Sequence, residues 1–427
     1  MKKEKNKKCD RGITLVALVV TIVILLILAG VSLNLVIGNE GMLTRSKEAT
    51  NKYEKQAENE QQGLNDVDDW MDEQFGDTGM KKVTVNTKAT KNGTINGQEP
   101  NINNPIIPKG YTPINAGSAT WGNGNSSPAP SSIDNGLVIK DDNNNEWIWV
   151  PVEESVLSSM YVTSTKTDGE GFYGNSSVTT KIYTNTTTIG REGDTVTISR
   201  DTPGTTGWRE PDLIIYDKEE EYFKTILGFD DAKSMAEAFS RDYENMLASI
   251  QKYGGFYIGR YELSNEGVQK DKESLTNINW YYLYKKCKSL NASEKVESRM
   301  IYSIQWDLAC DFISKKGEQK SITDSRSWGN YNDSISPANK GNYEKASNTA
   351  SKKKNTGSNE AWKANNIYDL AGNCWELCQE AFMNGNRVGR GSTYSNSGLS
   401  GPVSSIGSYF AEQGVDIGGS RPTLIIE

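Results

Sequence analysis

The sequence predicts an α+β fold that begins with one long helix, and three observations lead to this prediction. An almost uncharged apolar run covers residues 13–37. Residues 136–140 and 146–152 show the alternation of apolar residues that is typical of paired strands, and residues 255–262 predict a further strand. Residues 303–315 have a helical pattern. Helices and strands are therefore mixed along the chain, between long loops rich in Gly, Asn and Ser.

These elements divide the chain into four parts. Residues 1–12 form a basic leader, residues 13–75 a long helix whose apolar first half is 13–37, residues 76–132 a flexible linker, and residues 133–427 a large folded domain. Repeated Asn-Gly pairs and prolines mark the linker. The sequence contains 10 Trp and 20 Tyr, which is enough aromatic surface for a sizeable core.

The apolar run at 13–37 is long enough to cross a membrane. A helix needs about 20 apolar residues to span the hydrocarbon core, whereas the apolar part of a cleaved secretory signal has about 7–15. Lysines cluster before this run, which places the N-terminus in the cytoplasm by the positive-inside rule. We therefore expect a single-pass, membrane-anchored protein whose N-terminus is cytoplasmic and whose C-terminal domain is extracellular.

The start of the apolar run resembles the type IV prepilin signal, which type II secretion pseudopilins share. Residues 11–18 read RGITLVAL, so that a basic leader, a glycine and a helix follow one another directly. The resemblance implies cleavage after Gly12 by a prepilin peptidase, N-methylation of Ile13, and contact with other pilin-like subunits. It also implies that the C-terminal domain is displayed on a bacterial cell surface or pilus. The family usually has Glu where this chain has Ala17. This departure favours a minor or tip subunit, or an anchor that does not polymerise.

The composition argues against some classes of function. The formal net charge is −8, whereas nucleic-acid binding needs a basic surface, so no nucleic-acid partner is expected. The chain has no histidine, which removes the commonest general base and the commonest transition-metal ligand. Four cysteines follow the leader, namely Cys287, Cys310, Cys374 and Cys378. They allow three disulfide pairings, or they fill core positions as small hydrophobic residues.

A second motif lies in the C-terminal domain. Residues 368–376 read YDLAGNCWE, and RVGRGSTY follows at 387–394 and GGSR at 418–421. Together with WIWVPV at 147–152 and FYIGRYE at 256–262, these runs resemble the formylglycine-generating enzyme, or sulfatase-modifying factor, family. The resemblance implies a variant of the C-type lectin fold for the domain that follows the linker.

The YDLAGNCWE motif also predicts a structural calcium site. Carboxylate and carbonyl oxygens on a turn suit a hard cation. The resemblance implies that Asp369 and Glu376 bind through their side chains, and Gly372 and Cys374 through their carbonyls. In the alternative arrangement, Asp369 caps a turn and Glu376 pairs with a buried arginine such as Arg390 or Arg421. Both alternatives are open from the sequence.

The catalytic groups of that family are missing here. Its oxygen-activating members hold copper with a cysteine pair just after the Arg-Gly-Gly-Ser segment, and related iron enzymes use histidines. The corresponding residues 390–400 contain no cysteine, and the chain has no histidine. We therefore expect a non-catalytic binding or adhesion module. An enzyme with an atypical active site and a minor pseudopilin that caps a filament are the alternatives.

The loops between Arg390 and Arg421 are predicted to hold the ligand, a surface glycan or protein. They are rich in Ser, Gly and Tyr, which is the composition of adaptable contact surfaces. The predicted ligand-binding residues are Tyr394, Asn396, Tyr409 and Phe410.

Overall fold

The structure, a computed structural model, describes most of the C-terminal part of the chain and little of the first 79 residues. The described residues are 19–25, 52, 56, 80–114, 133–167, 177–183, 186–199, 210, 220–230, 232–290, 295–335, 352–382 and 386–427. The chain divides into two units, Met1–Gly79 and Met80–Glu427.

The first unit does not contain the predicted membrane-spanning helix among its described residues. Its longest described helical piece is residues 19–25. At 1.5 Å per residue this piece is about 10 Å long, against about 30 Å of hydrocarbon. No helix in the described part of the chain is long and apolar enough to cross a membrane. The predicted fold class with its long N-terminal transmembrane helix, and with it the single-pass anchor, is therefore wrong for these residues. The rest of 13–37 lies outside the described residues.

The described part of the second unit contains five helices, of which one has 22 residues, and 18 short strands. The helices are α1 (Glu154–Ser159), α2 (Glu220–Tyr222, continued by a π-helical turn Phe223–Leu227), α3 (Ala232–Tyr253), α4 (Trp280–Lys288) and α5 (Ser303–Lys315). The first nine strands are β1 (Lys81–Lys82), β2 (Gly93–Thr94), β3 (Thr112–Pro113), β4 (Val138–Lys140), β5 (Glu146–Pro151), β6 (Tyr161–Thr167), β7 (Ser177–Tyr183), β8 (Thr186–Arg191) and β9 (Asp194–Ser199). The others are β10 (Gly255–Gly259), β11 (Val296–Met300), β12 (Lys363–Ala364), β13 (Ile367–Tyr368), β14 (Trp375–Phe382), β15 (Asn386–Arg390), β16 (Ile406–Phe410), β17 (Gly418–Ser420) and β18 (Pro422–Ile426).

A six-stranded antiparallel sheet forms the centre of this unit, in the order β11-β18-β10-β5-β4-β3. Its central strands β5, β10 and β18 are mostly apolar, and both of their faces are largely buried. In β5, Trp147 and Trp149 belong to one apolar cluster, and Ile148 and Val150 to the other. The predicted pairing of 136–140 with 146–152 is confirmed by the β4–β5 hairpin.

The predicted helix at 303–315 is confirmed as α5, which is buried along almost its whole length. The strand predicted at 255–262 is shorter and ends at Gly259. Residues 80–114 fall within the predicted linker, yet they supply strands β1–β3 and buried side chains such as Ile107 and Tyr111. They belong to the same compact unit as the rest of the C-terminal part.

A four-stranded sheet, in the order β16-β15-β14-β17, contains the residues that the sequence motifs identified. The β14–β17 pair is parallel and the other two pairs are antiparallel. Strand β16 lies at the edge of this sheet. The sheet therefore places Trp375 and Glu376, at the start of β14, near the predicted ligand-binding segment on β16. Tyr368 of the motif lies on β13, which pairs with β12 in a separate two-stranded sheet.

Candidate functional site

A tight turn joins β13 to β14 and contains the centre of the YDLAGNCWE motif. Asp369, Gly372 and Asn373 have positive φ values of 53°, 79° and 59°. At Gly372 a β-carbon would lie 2.2 Å from the carbonyl oxygen of Asn330, so this position requires glycine. The Asn373 side chain fixes the turn, because its Nδ2 donates to Glu262 at 2.6 Å and its Oδ1 accepts from the Lys354 backbone N–H at 2.9 Å.

Glu376 forms a buried ion pair with Arg421. The two carboxylate oxygens of Glu376 accept from Arg421 Nε at 2.8 Å and Nη2 at 2.5 Å. Arg421 also donates to the carbonyls of Gly259 and Tyr368, both at 2.8 Å. Each of its three nitrogens therefore has an acceptor, and the guanidinium joins β14 to the ends of β10 and β13.

Two further carboxylates lie near this ion pair. Asp369 Oδ2 accepts from the Gly357 backbone N–H at 2.7 Å and from Thr356 Oγ1 at 3.1 Å. Glu262 accepts from the side chains of Ser274 and Asn373 and from a backbone N–H of the motif turn. The role of Glu262 was missed by the sequence analysis. An acidic residue just after a buried strand was the available signal.

Burial dominates the protonation of these three carboxyl groups. It raises the pKa of Asp369 to about 6. It also raises the pKa of Glu376 to about 7, although the Arg421 guanidinium acts in the opposite direction. The pKa of Glu262 lies well above its usual value because of burial and the nearby charge of Asp369. Three carboxyls thus share one guanidinium, and the pKa of each is shifted upwards, towards the protonated form.

The predicted calcium ligands do not fit that cation in this arrangement. Both oxygens of Glu376 are already bound by Arg421, and a guanidinium beside the site repels a cation. At Asp369, Oδ2 already accepts two hydrogen bonds, and Oδ1 has no hydrogen-bond donor among the described residues. No group of three or more metal-binding side chains is found in the described part of the chain. The geometry agrees with the alternative of a turn cap and an arginine pair, and calcium stays a prediction.

The predicted ligand-binding residues fall at the two ends of one strand pair. Strands β15 and β16 pair from Asn386↔Phe410 to Arg390↔Ile406. Tyr409 and Phe410 lie at the end where Asn386 pairs with Phe410. Tyr394 and Asn396 follow Arg390, at the opposite end of the pair. At about 3.4 Å per residue, the two ends are about 14 Å apart. The four residues therefore do not form one small cluster.

Residues 406–410 form a strand, although the sequence analysis placed them in a loop. Successive side chains of a strand point to opposite faces of the sheet. Tyr409 and Phe410 consequently lie on opposite faces. Phe410 is 48% exposed, and Tyr409 is partly exposed.

Tyr409 packs against Trp375, and we call this pair the Trp375–Tyr409 platform. The ring centroids are 6.0 Å apart, with the ring planes inclined at 57°. Two glycines lie beneath the rings. A β-carbon at Gly407 would be 3.1 Å from the Trp375 ring, and one at Gly389 would be 3.3 Å from the Tyr409 ring. The platform is thus a partly exposed aromatic surface held by close contact with the backbone of β15 and β16.

The loop after β15 is held by the segment 321–335. Asp333 accepts from Ser397 Oγ at 2.6 Å and from the Gly398 backbone N–H at 2.7 Å. Asn332 donates through its backbone N–H to the carbonyl of Asn396 at 3.0 Å. The exposed Asn396 therefore lies on a loop whose backbone is anchored on both sides.

The four cysteines are buried and form no disulfide. Burial raises the pKa of each thiol, for Cys287 to about 12 and for Cys374 well above its usual value. Cys378 and Cys310 are shifted in the same direction for the same reason. Burial therefore favours the protonated thiol at all four positions. Gly12 and Ile13, the predicted processing site, lie outside the described residues.

Comparisons with known proteins do not identify a family. No family model matches the chain, and no curated protein matches it. Treponema denticola variable protein 1 is a solved structure to which the chain is similar, with 13% sequence identity and a TM-score of 0.24. The match covers 66% of this chain and 95% of that one. A likeness at this TM-score carries no conclusion about fold or function, so the two family resemblances stay predictions.

Proposed function

We propose that the C-terminal unit is a ligand-binding domain without catalytic activity, and that its contact surface lies on β16 and the Trp375–Tyr409 platform. The observation that carries the proposal is the partial exposure of Tyr409 on an edge strand, where it is held against Trp375. Large aromatic side chains with few rotatable bonds contribute much of the energy of binding surfaces, because little conformational entropy is lost when they bind.

The chemistry of the candidate groups supports binding rather than catalysis. A nucleophilic cysteine needs a lowered thiol pKa and access to solvent. The four cysteines have raised pKa values and are buried. The carboxylates of the motif are also buried, and they hold Arg421 and backbone N–H groups. The cysteines and carboxylates therefore stabilise the fold beneath β16 and the Trp375–Tyr409 platform.

The surroundings of β16 support the same proposal, because they are held in place before any ligand arrives. The glycine contacts fix Trp375, and Asp333 and Asn332 fix the loop around Asn396. A surface that is already ordered loses less entropy on binding.

The proposal is tested by binding the full-length chain to a panel of immobilised neutral sugars, acidic sugars and peptides. The variants Tyr409→Ser and Phe410→Ser remove aromatic surface from β16. Tyr282→Ser is the matched control, because Tyr282 is 52% exposed and lies on α4. Circular dichroism and urea unfolding establish that each variant is folded.

We expect the wild-type chain to bind at least one member of the panel and Tyr409→Ser to weaken that binding about tenfold, as for loss of a central aromatic contact. Tyr282→Ser should bind as the wild type does. The proposal is wrong if the folded wild-type chain binds no member of the panel, or if both β16 variants bind with wild-type affinity.

A further inference from the structure

Arg387 is a buried charged residue on the same face of the sheet as the platform. It pairs directly with Tyr409 across β15 and β16, so the two side chains point to the same side. Its side chain is 0% exposed. The guanidinium lies over the ring of Trp280, with its carbon 4.5 Å from the ring centroid. Arg387 is thus held between the sheet and the first turn of α4.

None of the three guanidinium nitrogens of Arg387 has a hydrogen-bond acceptor among the described residues. The Trp280 ring attracts the face of the guanidinium, but the five N–H groups of arginine lie in its plane and need acceptors there. A buried charge without such partners is costly, and nearly all buried polar groups in proteins have one. The described residues therefore supply no hydrogen-bond acceptor for the Arg387 guanidinium.

We propose that Arg387 receives a carboxylate group of the ligand that binds at the Trp375–Tyr409 platform. This inference rests on the proposed function and adds the chemical class of the ligand to it. A planar guanidinium matches a carboxylate with two parallel hydrogen bonds. Arg387 is covered in this structure, so the proposal requires the partly exposed ring of Tyr409, its direct neighbour on the edge strand, to move when the ligand binds.

The competing explanation is that a trapped water molecule and Trp280 satisfy Arg387, which then has only a structural role. The two explanations differ in what happens when the charge is removed. If Arg387 serves the ligand, Arg387→Met leaves the fold at least as stable, because the new side chain has similar length and no unpaired charge. If Arg387 serves the fold, the same change lowers stability, and Arg387→Lys restores part of it.

The experiment compares binding of D-glucuronate and D-glucose to the full-length chain by calorimetry at constant ionic strength. The two probes share a ring and differ in a carboxylate. We expect the wild-type chain to bind glucuronate at least tenfold more tightly than glucose. Arg387→Met should abolish this preference, and Arg387→Lys should keep only part of it, because a lysine lacks the planar pair of donors. The midpoint of urea unfolding of Arg387→Met should equal or exceed that of the wild type.

If the wild-type chain binds the two sugars with equal affinity and Tyr409→Ser binds neither, the role of Arg387 is overturned. The proposed function then still stands. Absence of binding to either sugar and to the rest of the panel overturns both. A lower unfolding midpoint for Arg387→Met, restored by Arg387→Lys, assigns Arg387 to the fold and overturns the inference. Retention of the full glucuronate preference in Arg387→Met overturns it as well.

Discussion

Arg421 and Arg387 are both fully buried, yet their surroundings differ completely. Arg421 donates to Glu376 through two nitrogens and to two backbone carbonyls, and it connects three strands. Arg387 has the ring of Trp280 and no hydrogen-bond acceptor among the described residues. The difference teaches that burial of an arginine does not define its role. The satisfied guanidinium of Arg421 holds strands together, whereas the unsatisfied guanidinium of Arg387 is the basis of the proposed ligand contact.

The largest effect is expected from Arg421→Met. This change leaves Glu376, beside Asp369 and Glu262, without a counter-charge in the interior. Removing one partner of a buried ion pair typically costs about 3–5 kcal/mol. Urea unfolding followed by tryptophan fluorescence measures the loss. The control is Arg326→Met, because Arg326 pairs with Asp324 near the surface, with a side chain that is 26% exposed, and such a pair contributes about 1 kcal/mol or less. Similar losses in the two variants would break the comparison.

The region of Arg421 should also make stability depend on pH. Folding raises the pKa of Asp369 from 3.8 to about 6 and that of Glu376 from 4.5 to about 7. The folded chain then binds more protons than the unfolded chain between about pH 4 and 7, so the free energy of unfolding falls as the pH rises through this window. Thermal unfolding between pH 5 and 8 measures this slope.

Asp369→Asn is the control for the pH dependence, because it removes one of the titrating groups. Its slope against pH should be smaller than that of the wild type. A wild-type stability that rises steadily from pH 5 to 8 would contradict the assignment of raised pKa values to this cluster.

In the region of Arg387, Gly407→Ala should have a moderate effect. Its new β-carbon would lie 3.1 Å from the Trp375 ring, so the ring must move. Overpacking of this kind costs about 1–3 kcal/mol in a tight interior, and the partial exposure of Trp375 favours the lower end. Ser408→Ala, on the opposite face of β16, should cost less. We expect Gly407→Ala to weaken ligand binding more than Ser408→Ala does. Equal binding by the two variants would show that the position of Trp375 does not matter for the ligand.

The smallest effect is expected from calcium. The family resemblance predicts a stabilising site, and a hundredfold excess over the dissociation constant would add about 2.7 kcal/mol. The geometry predicts no measurable change in melting temperature between calcium chloride and EDTA, because Arg421 occupies both oxygens of Glu376. If calcium chloride raises the melting temperature of the wild type but not that of Asp369→Ala, the calcium prediction is restored, and the ion pair must rearrange to admit the cation.

Several local elements could be predicted from the sequence. The alternation in residues 136–152 predicted the β4–β5 hairpin, and the spacing of apolar residues predicted α5. Both patterns are contained in short segments, so their neighbours along the chain suffice to define them. The strand β16 was missed because its sequence, Ile-Gly-Ser-Tyr-Phe, has two small residues and lies among loop residues. Its strand conformation comes from pairing with β15.

The sequence by itself determined the types of residue that the site contains: a motif with two carboxylates, candidate arginines, and aromatic residues near the C-terminus. It left open whether Glu376 pairs with Arg390 or Arg421, and it grouped Tyr394 with Tyr409. The tertiary structure decided both questions. Glu376 and Arg421 are 45 positions apart and meet because β14 pairs with β17 in parallel, while Arg390 pairs with Asp307. Tyr409 meets Trp375 and Arg387 through the register of β14, β15 and β16. Such register depends on contacts between distant segments, because a shift by one residue would turn every side chain of a strand to the other face.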